Sequence, residues 1–128
     1  MSKILVIEDV SAVLLSLRII LTGLGHDVTC ANKGINGLQA LRESAFDLVI
    51  SDIWMPGMNG AEVIAEGRAR APATRFLAIT GGDPNSGALP QERARSEFGA
   101  DKILYKPFEK EALVAAVTEL LAGTPAHG

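Results

Sequence analysis

Four short apolar runs each end in polar side chains suited to chemistry. Glu8 and Asp9 follow Ile4 to Ile7, Asp52 follows Leu48 to Ser51, Thr80 closes the run from Phe76, and Lys106 follows Lys102 to Tyr105. Each has a bland reading on its own: Asp9 or Thr80 as a helix cap, Asp52 as a turn residue, Lys106 as a solvated strand end. Brought together, three carboxylates repel one another strongly, and a hard cation with oxygen ligands is the natural solution. Magnesium fits best, because it keeps several waters and binds through one or two carboxylates plus a phosphate. The set then lacks only a phosphate, which points to phosphoryl transfer. An Asp carboxylate is the nucleophile that forms an acyl phosphate, the metal and Lys106 stabilise charge on the transferring group, and Thr80 donates a hydrogen bond.

The elements that must position these groups are legible in the pattern. Strands are predicted at Lys3 to Ile7, Asp27 to Ala31, Leu48 to Ser51, Phe76 to Thr80 and Lys102 to Tyr105. Between and after them lie stretches of helical spacing, such as Val13, Leu17, Ile20, Leu21 and Leu24, then Leu113, Val117, Leu120 and Leu121, each one apolar stripe. Alternation of strand and helix implies right-handed crossovers and a parallel sheet covered on both faces. That accounts for the unbroken apolar run Ile4-Leu5-Val6-Ile7, since a strand buried on both faces does not alternate. The predicted class is α/β: a doubly wound (βα)5 three-layer sandwich on a five-stranded parallel sheet. In such a sheet, ligands bind outside the carboxyl ends of the strands, where the polar residues stand.

Bulk properties narrow the function further. The 128 residues are 48% hydrophobic and 21% charged, with a net charge of -3, the balance of one globular domain without a broad positive field. Direct nucleic-acid binding is not expected, and Arg68, Arg70, Arg75, Arg93 and Arg95 read as a solvated helix face. No apolar stretch is long enough for a membrane span. Cys30 is the only cysteine; it reads as a small packed hydrophobe, and a cytoplasmic setting is expected. Residues 1–123 are predicted to form the domain and residues 124–128 a flexible tail, too short and Gly/Pro-rich to add an element.

Taken in order, Glu8-Asp9, Ser51-Asp52, Thr80 and Lys106-Pro107-Phe108, with Met55-Pro56-Gly57-Met58-Asn59-Gly60 after Asp52, resemble the receiver domain of two-component response regulators over essentially the whole chain. The resemblance implies a flavodoxin-like fold and a phosphorelay role as a stand-alone, chemotaxis-type regulator. It makes Asp52 the phosphoacceptor. Asp9 and the backbone carbonyl of Trp54 join Asp52 as ligands of Mg2+, for which Mn2+ can stand in; Glu8 acts through a metal-bound water, and Lys106 contacts the phosphoryl group. A cis peptide before Pro107 is also implied. The phosphodonor would be a sensor histidine kinase or a histidine phosphotransfer protein, and an unknown downstream protein would read the result. The domain would be a monomer or weak homodimer and not a conventional turnover enzyme.

Two features depart from the common receiver pattern. Many receivers carry Tyr or Phe three residues before the lysine, where this chain has Ile103; Tyr105 directly precedes Lys106, on the same strand face as Ile103. The segment from Gly81 to Pro90 is long and Gly/Pro-rich. Both features support an alternative function, an interaction domain of the same fold that works without phosphate. Nucleotide binding is not expected, because Ala88-Leu89 stand where a P-loop requires Lys and Ser/Thr, and no Gly-x-Gly-x-x-Gly follows the first strand. An aspartyl phosphatase is disfavoured by Trp54, which occupies the position of the second acid. Trp54, the only tryptophan, provides a test: its fluorescence is expected to respond to Mg2+ in wild type and less in Asp9→Asn, and an unresponsive wild type counts against the metal site.

Overall fold

The computed structural model describes residues 2–53, 60–81 and 99–122. Within them the chain runs β1 (Lys3–Ile7), α1 (Ser11–Gly23), β2 (Asp27–Ala31), α2 (Gly34–Glu43), β3 (Leu48–Asp52), α3 (Gly60–Arg70), β4 (Arg75–Thr80), β5 (Lys102–Tyr105) and α4 (Lys110–Ala122). The strands match the sequence pattern, except that β3 and β4 are each longer by a residue, because Asp52 pairs with Ile79 and Arg75 with Leu48. The crossover residues 82–98 and the tail from 123 lie outside the described residues, as do Trp54 and nearly all of the Gly81 to Pro90 segment.

All five strands are parallel, in the order β2-β1-β3-β4-β5. The chain winds from β1 outward to β2, then returns to β3 on the other side. The switch in direction therefore falls between β1 and β3, the place where an open α/β sheet leaves a crevice at its carboxyl edge.

Side-chain alternation divides β1 between two cores. Leu5 and Ile7 join Val49, Phe76, Ala78 and Ile103 beneath α2 and α3, while Ile4 and Val6 join Leu48, Ile50, Leu77 and Ile79 beneath α1 and α4. The three-layer sandwich is thus built as the unbroken apolar runs require. Cys30 differs from its expected packing. It is exposed, because β2 is an edge strand paired only with β1.

Arg68 also departs from the solvated reading. Its guanidinium pairs with Asp101 Oδ1 at 2.7 Å, its Nε donates to the carbonyl of Gly99, and it stacks over the Phe76 ring at 5.3 Å. Asp101 Oδ2 in turn accepts from the Phe76 amide at 2.8 Å. These contacts anchor the last turn of α3 to the start of β5 and to β4. A charged residue on a helix pattern reads as solvent-facing unless its partner, 33 residues away in Asp101, is known. Phe76 lies at the centre of this packing with no exposed surface. Phe76→Ala is expected to lower the unfolding free energy by about 3–5 kcal/mol in a urea titration, and a loss well under that range would show that α3 collapses freely onto the sheet.

Candidate functional site

Parallel topology brings the strand ends to one edge, and β1 and β3 flank the switch point. Glu8 follows β1 and is fully buried, Asp9 is half-buried beside it, and Asp52 ends β3 with 4% of its surface exposed. One carboxylate oxygen from each lies within 4.8 Å of the others. Lys106, just past β5, spans two of them: its Nζ is 2.8 Å from Glu8 Oε1 and donates to Asp52 Oδ2 at 3.2 Å. The contact with Glu8 Oε1 is a close ion pair without the directional geometry of a hydrogen bond. Glu8 Oε2 accepts from the Val10 amide at 3.1 Å, which turns the carboxylate inward.

Local backbone bonds fix these positions. The Glu8 amide donates to the Ala31 carbonyl at 3.0 Å and the Lys106 amide to the Thr80 carbonyl at 2.8 Å. Thr80 closes β4, is buried, and stands one residue beyond the strand partner of Asp52. The Lys106–Pro107 peptide is cis. Trp54 lies outside the described residues, so its carbonyl remains an expectation from sequence. Ser51, quoted beside Asp52 in the motif but given no role from sequence, is fully buried and its Oγ donates to the Asp52 carbonyl at 3.0 Å. Its adjacency to Asp52 was the only available signal. Ile103 and Tyr105 share one face, as alternation requires, and the buried Tyr105 hydroxyl has no hydrogen-bond partner among the described residues. Beside Lys106 opens an apolar groove of about 490 Å³ lined by Ala12, Val13, Ser16, Lys106, Pro107 and Phe108.

The electrostatics follow from this geometry. Burial, then the negative charge of Glu8, push the Asp52 carboxyl up from 3.8 to about 7, and Lys106 offsets only part of that rise. Burial pulls the Lys106 ammonium down, but its close contact with Glu8 and the charges of Asp52 and Glu8 outweigh burial and leave it raised. Among the described residues, three carboxyl groups face the one ammonium of Lys106, so ionising Asp52 leaves negative charge in excess.

The donor set suits a small hard cation. Two oxygens on one Mg2+ are at most about 4.2 Å apart, twice a bond of about 2.1 Å. A span of up to 4.8 Å therefore fits after a slight contraction, or with one carboxylate acting through a water. Among the described residues, no helix is long and apolar enough to cross a membrane.

Comparison with known proteins agrees with this architecture. The family model for the response regulator receiver domain matches residues 4–118, and the chain belongs to that family. It is 31% identical over 118 residues to the uncharacterized transcriptional regulatory protein YkoG of Bacillus subtilis (strain 168), covering 92% of this chain and 50% of that protein. The chain thus spans about half the length of that curated relative. Among solved structures, the CheY-like receiver domain protein of Methanospirillum hungatei JF-1 superposes with a TM-score of 0.87 at 26% identity, covering 100% of this chain and 99% of that one. The response regulator protein TrrA of Thermotoga maritima, solved in complex with Mg2+-BeF, superposes with a TM-score of 0.80 at 29% identity, covering 94% of this chain and all of that one. Receiver domains act in two-component phosphorelay signalling and in general bind Mg2+ at an acidic pocket.

The raised Asp52 carboxyl has a direct consequence for stability. Its folded pKa of about 7 lies above the ordinary 3.8, so its favourable contribution is complete at low pH and is lost as pH rises through 7. In metal-free buffer, Asp52→Asn is expected to melt several degrees above wild type at about pH 8, with the gap closing towards about pH 5. A gap that narrows as pH rises would mean instead that pairing with Lys106 governs Asp52.

Proposed function

We propose that this chain is a phosphorylation switch in which Asp52 accepts a phosphoryl group from a phosphohistidine donor in a Mg2+-dependent reaction. The observation that carries this reading is the charge left uncompensated around Asp52 among the described residues, a buried carboxylate beside Glu8 and Asp9 with a single ammonium between them. Glu8, Asp9 and Asp52 would hold the cation, together with the Trp54 carbonyl, and Glu8 would act through a water. The bound Mg2+ supplies positive charge that neutralises the carboxylates and the incoming phosphoryl oxygens. Support comes from the Mg2+-BeF complex of the 29% identical Thermotoga maritima protein.

An ionised Asp52 oxygen forms the new bond to phosphorus as the phosphorus–nitrogen bond of the donor breaks, its electron pair leaving on the imidazole. The Lys106 ammonium, 3.2 Å from Asp52 Oδ2, balances charge on the transferring group, and the Thr80 hydroxyl donates to a phosphoryl oxygen. Glu8 keeps Lys106 in place from the buried side. The product is an acyl phosphate on the protein, so the domain is a stoichiometric acceptor and not a turnover enzyme, although it would hydrolyse its own phosphate slowly.

The donor would be a sensor histidine kinase or a histidine phosphotransfer protein. The groove beside Lys106 and the exposed Leu15 and Ile19 of α1 offer an apolar surface on that side. A downstream protein would distinguish the two states of the domain, as any switch requires differential binding. A cytoplasmic setting suits both partners.

Incubation with acetyl phosphate and Mg2+ is expected to add one phosphoryl group by intact mass, with none in Asp52→Asn and none after chelation. No label on wild type would favour the phosphate-independent interaction domain. Continued release of phosphate from an unrelated ester would favour a phosphatase.

A further inference from the structure

We propose that Gly60 is a positioning residue for Asp52: the start of α3 is a backbone stop that sets how far the Asp52 carboxylate projects towards Lys106. The inference rests on Asp52 being the phosphoacceptor, and it names what holds that acceptor in place.

Gly60 opens α3, and its amide donates to the Ile53 carbonyl at 2.8 Å. A Cβ at this position would lie 2.8 Å from both the Asp52 carbonyl carbon and the Ile53 Cα, and closer still to the Asp52 carbonyl oxygen. Carbon atoms rest at about 3.5–4.0 Å, so a side chain at position 60 demands a movement of about 1 Å. The three nearest atoms all belong to the backbone, and no rotamer change relieves their clash.

Both sides of the contact are held. The Asp52 carbonyl oxygen accepts from Ser51 Oγ at 3.0 Å, and the Ile53 amide donates to the Ile79 carbonyl at 2.9 Å. On the helix side, Gly67 lies two turns along the same face. A Cβ there would meet the Phe76 ring at 2.8 and 2.9 Å and Leu41 Cδ1 at 3.2 Å. Val63 and Ile64 between the two glycines are fully buried, and Arg68 fastens the end of the helix to Gly99 and Asp101. α3 therefore sits against the sheet at a separation set by two glycines, and cannot retreat from Asp52 without opening the core. The shift forced by a Cβ at position 60 is shared by Asp52, whose Oδ2 is placed 3.2 Å from Lys106 Nζ.

The two glycines separate positioning from stability. Gly67 meets side chains remote from the site, whereas Gly60 meets the acceptor's own backbone. In Gly60→Ala, the maximal rate of labelling by acetyl phosphate with Mg2+, per folded molecule, is expected to fall about 10- to 100-fold. The half-saturating donor concentration should stay within about two-fold, and the Asp52 and Ile53 amide resonances should move before any donor is added. Gly67→Ala is expected to lower the melting temperature yet label within about two-fold of wild type. Wild-type labelling by Gly60→Ala, or an equal slowing in Gly67→Ala, overturns the proposal, while a wild type that takes no label refutes the phosphoacceptor reading itself. If Gly60→Ala does not fold, hydrogen exchange on wild type decides. The Gly60 and Ile53 amides should exchange as slowly as that of Ile50, and exchange about 100-fold faster through local opening would show that the stop is not held.

Discussion

Negative charge is concentrated at the switch point of the sheet beyond what the described residues neutralise. Glu8 and Asp52 are buried, Asp9 stands beside them, and one ammonium, that of Lys106, spans the pair. Such an arrangement survives only on a scaffold stiff enough to hold like charges together. The five parallel strands provide it, since each polar group hangs from the end of a strand whose preceding residues are locked into one of two dry cores. The same dryness makes the charge effective, because removing water from Asp52 strengthens every interaction it makes with Glu8 and Lys106.

Support for Asp52 comes from behind as well as from within the site. Ser51 and Gly60 both meet the Asp52 carbonyl, one by a hydrogen bond and the other by close backbone approach. α3 is held at its far end by Arg68, which joins Gly99, Asp101 and the Phe76 ring. Asp52 thus stands on a braced strand end, while Lys106 keeps about a quarter of its side chain in solvent, at 23% exposure. Stiffness lies beneath the carboxylate and access lies in front of it.

Ile103 is part of the core beneath α2 and α3, at 3% exposure, and carries no ring or hydroxyl with which to report on Thr80. Tyr105 pairs with Thr80 across the β4–β5 register and packs against the same core. The aromatic group of this face therefore stands two residues closer to Lys106 than in the common receiver pattern.

The sequence alone determined the alternation of strand and helix, the parallel sheet and the identity of the polar strand ends, because each rests on local spacing that a linear pattern records. Ile4 to Ile7 announced a strand buried on both faces, and Glu8, Asp9, Asp52, Thr80 and Lys106 announced themselves by following such runs. Only the tertiary structure decided that Lys106 reaches Glu8 as well as Asp52, that Arg68 is a clamp and not a solvated charge, that Cys30 is exposed, and that Gly60 abuts the backbone of Asp52. Those facts depend on distances between residues far apart in the chain. Such distances are set by how closely helices settle on the sheet, and hydrophobic periodicity gives the facing of a helix but not its depth.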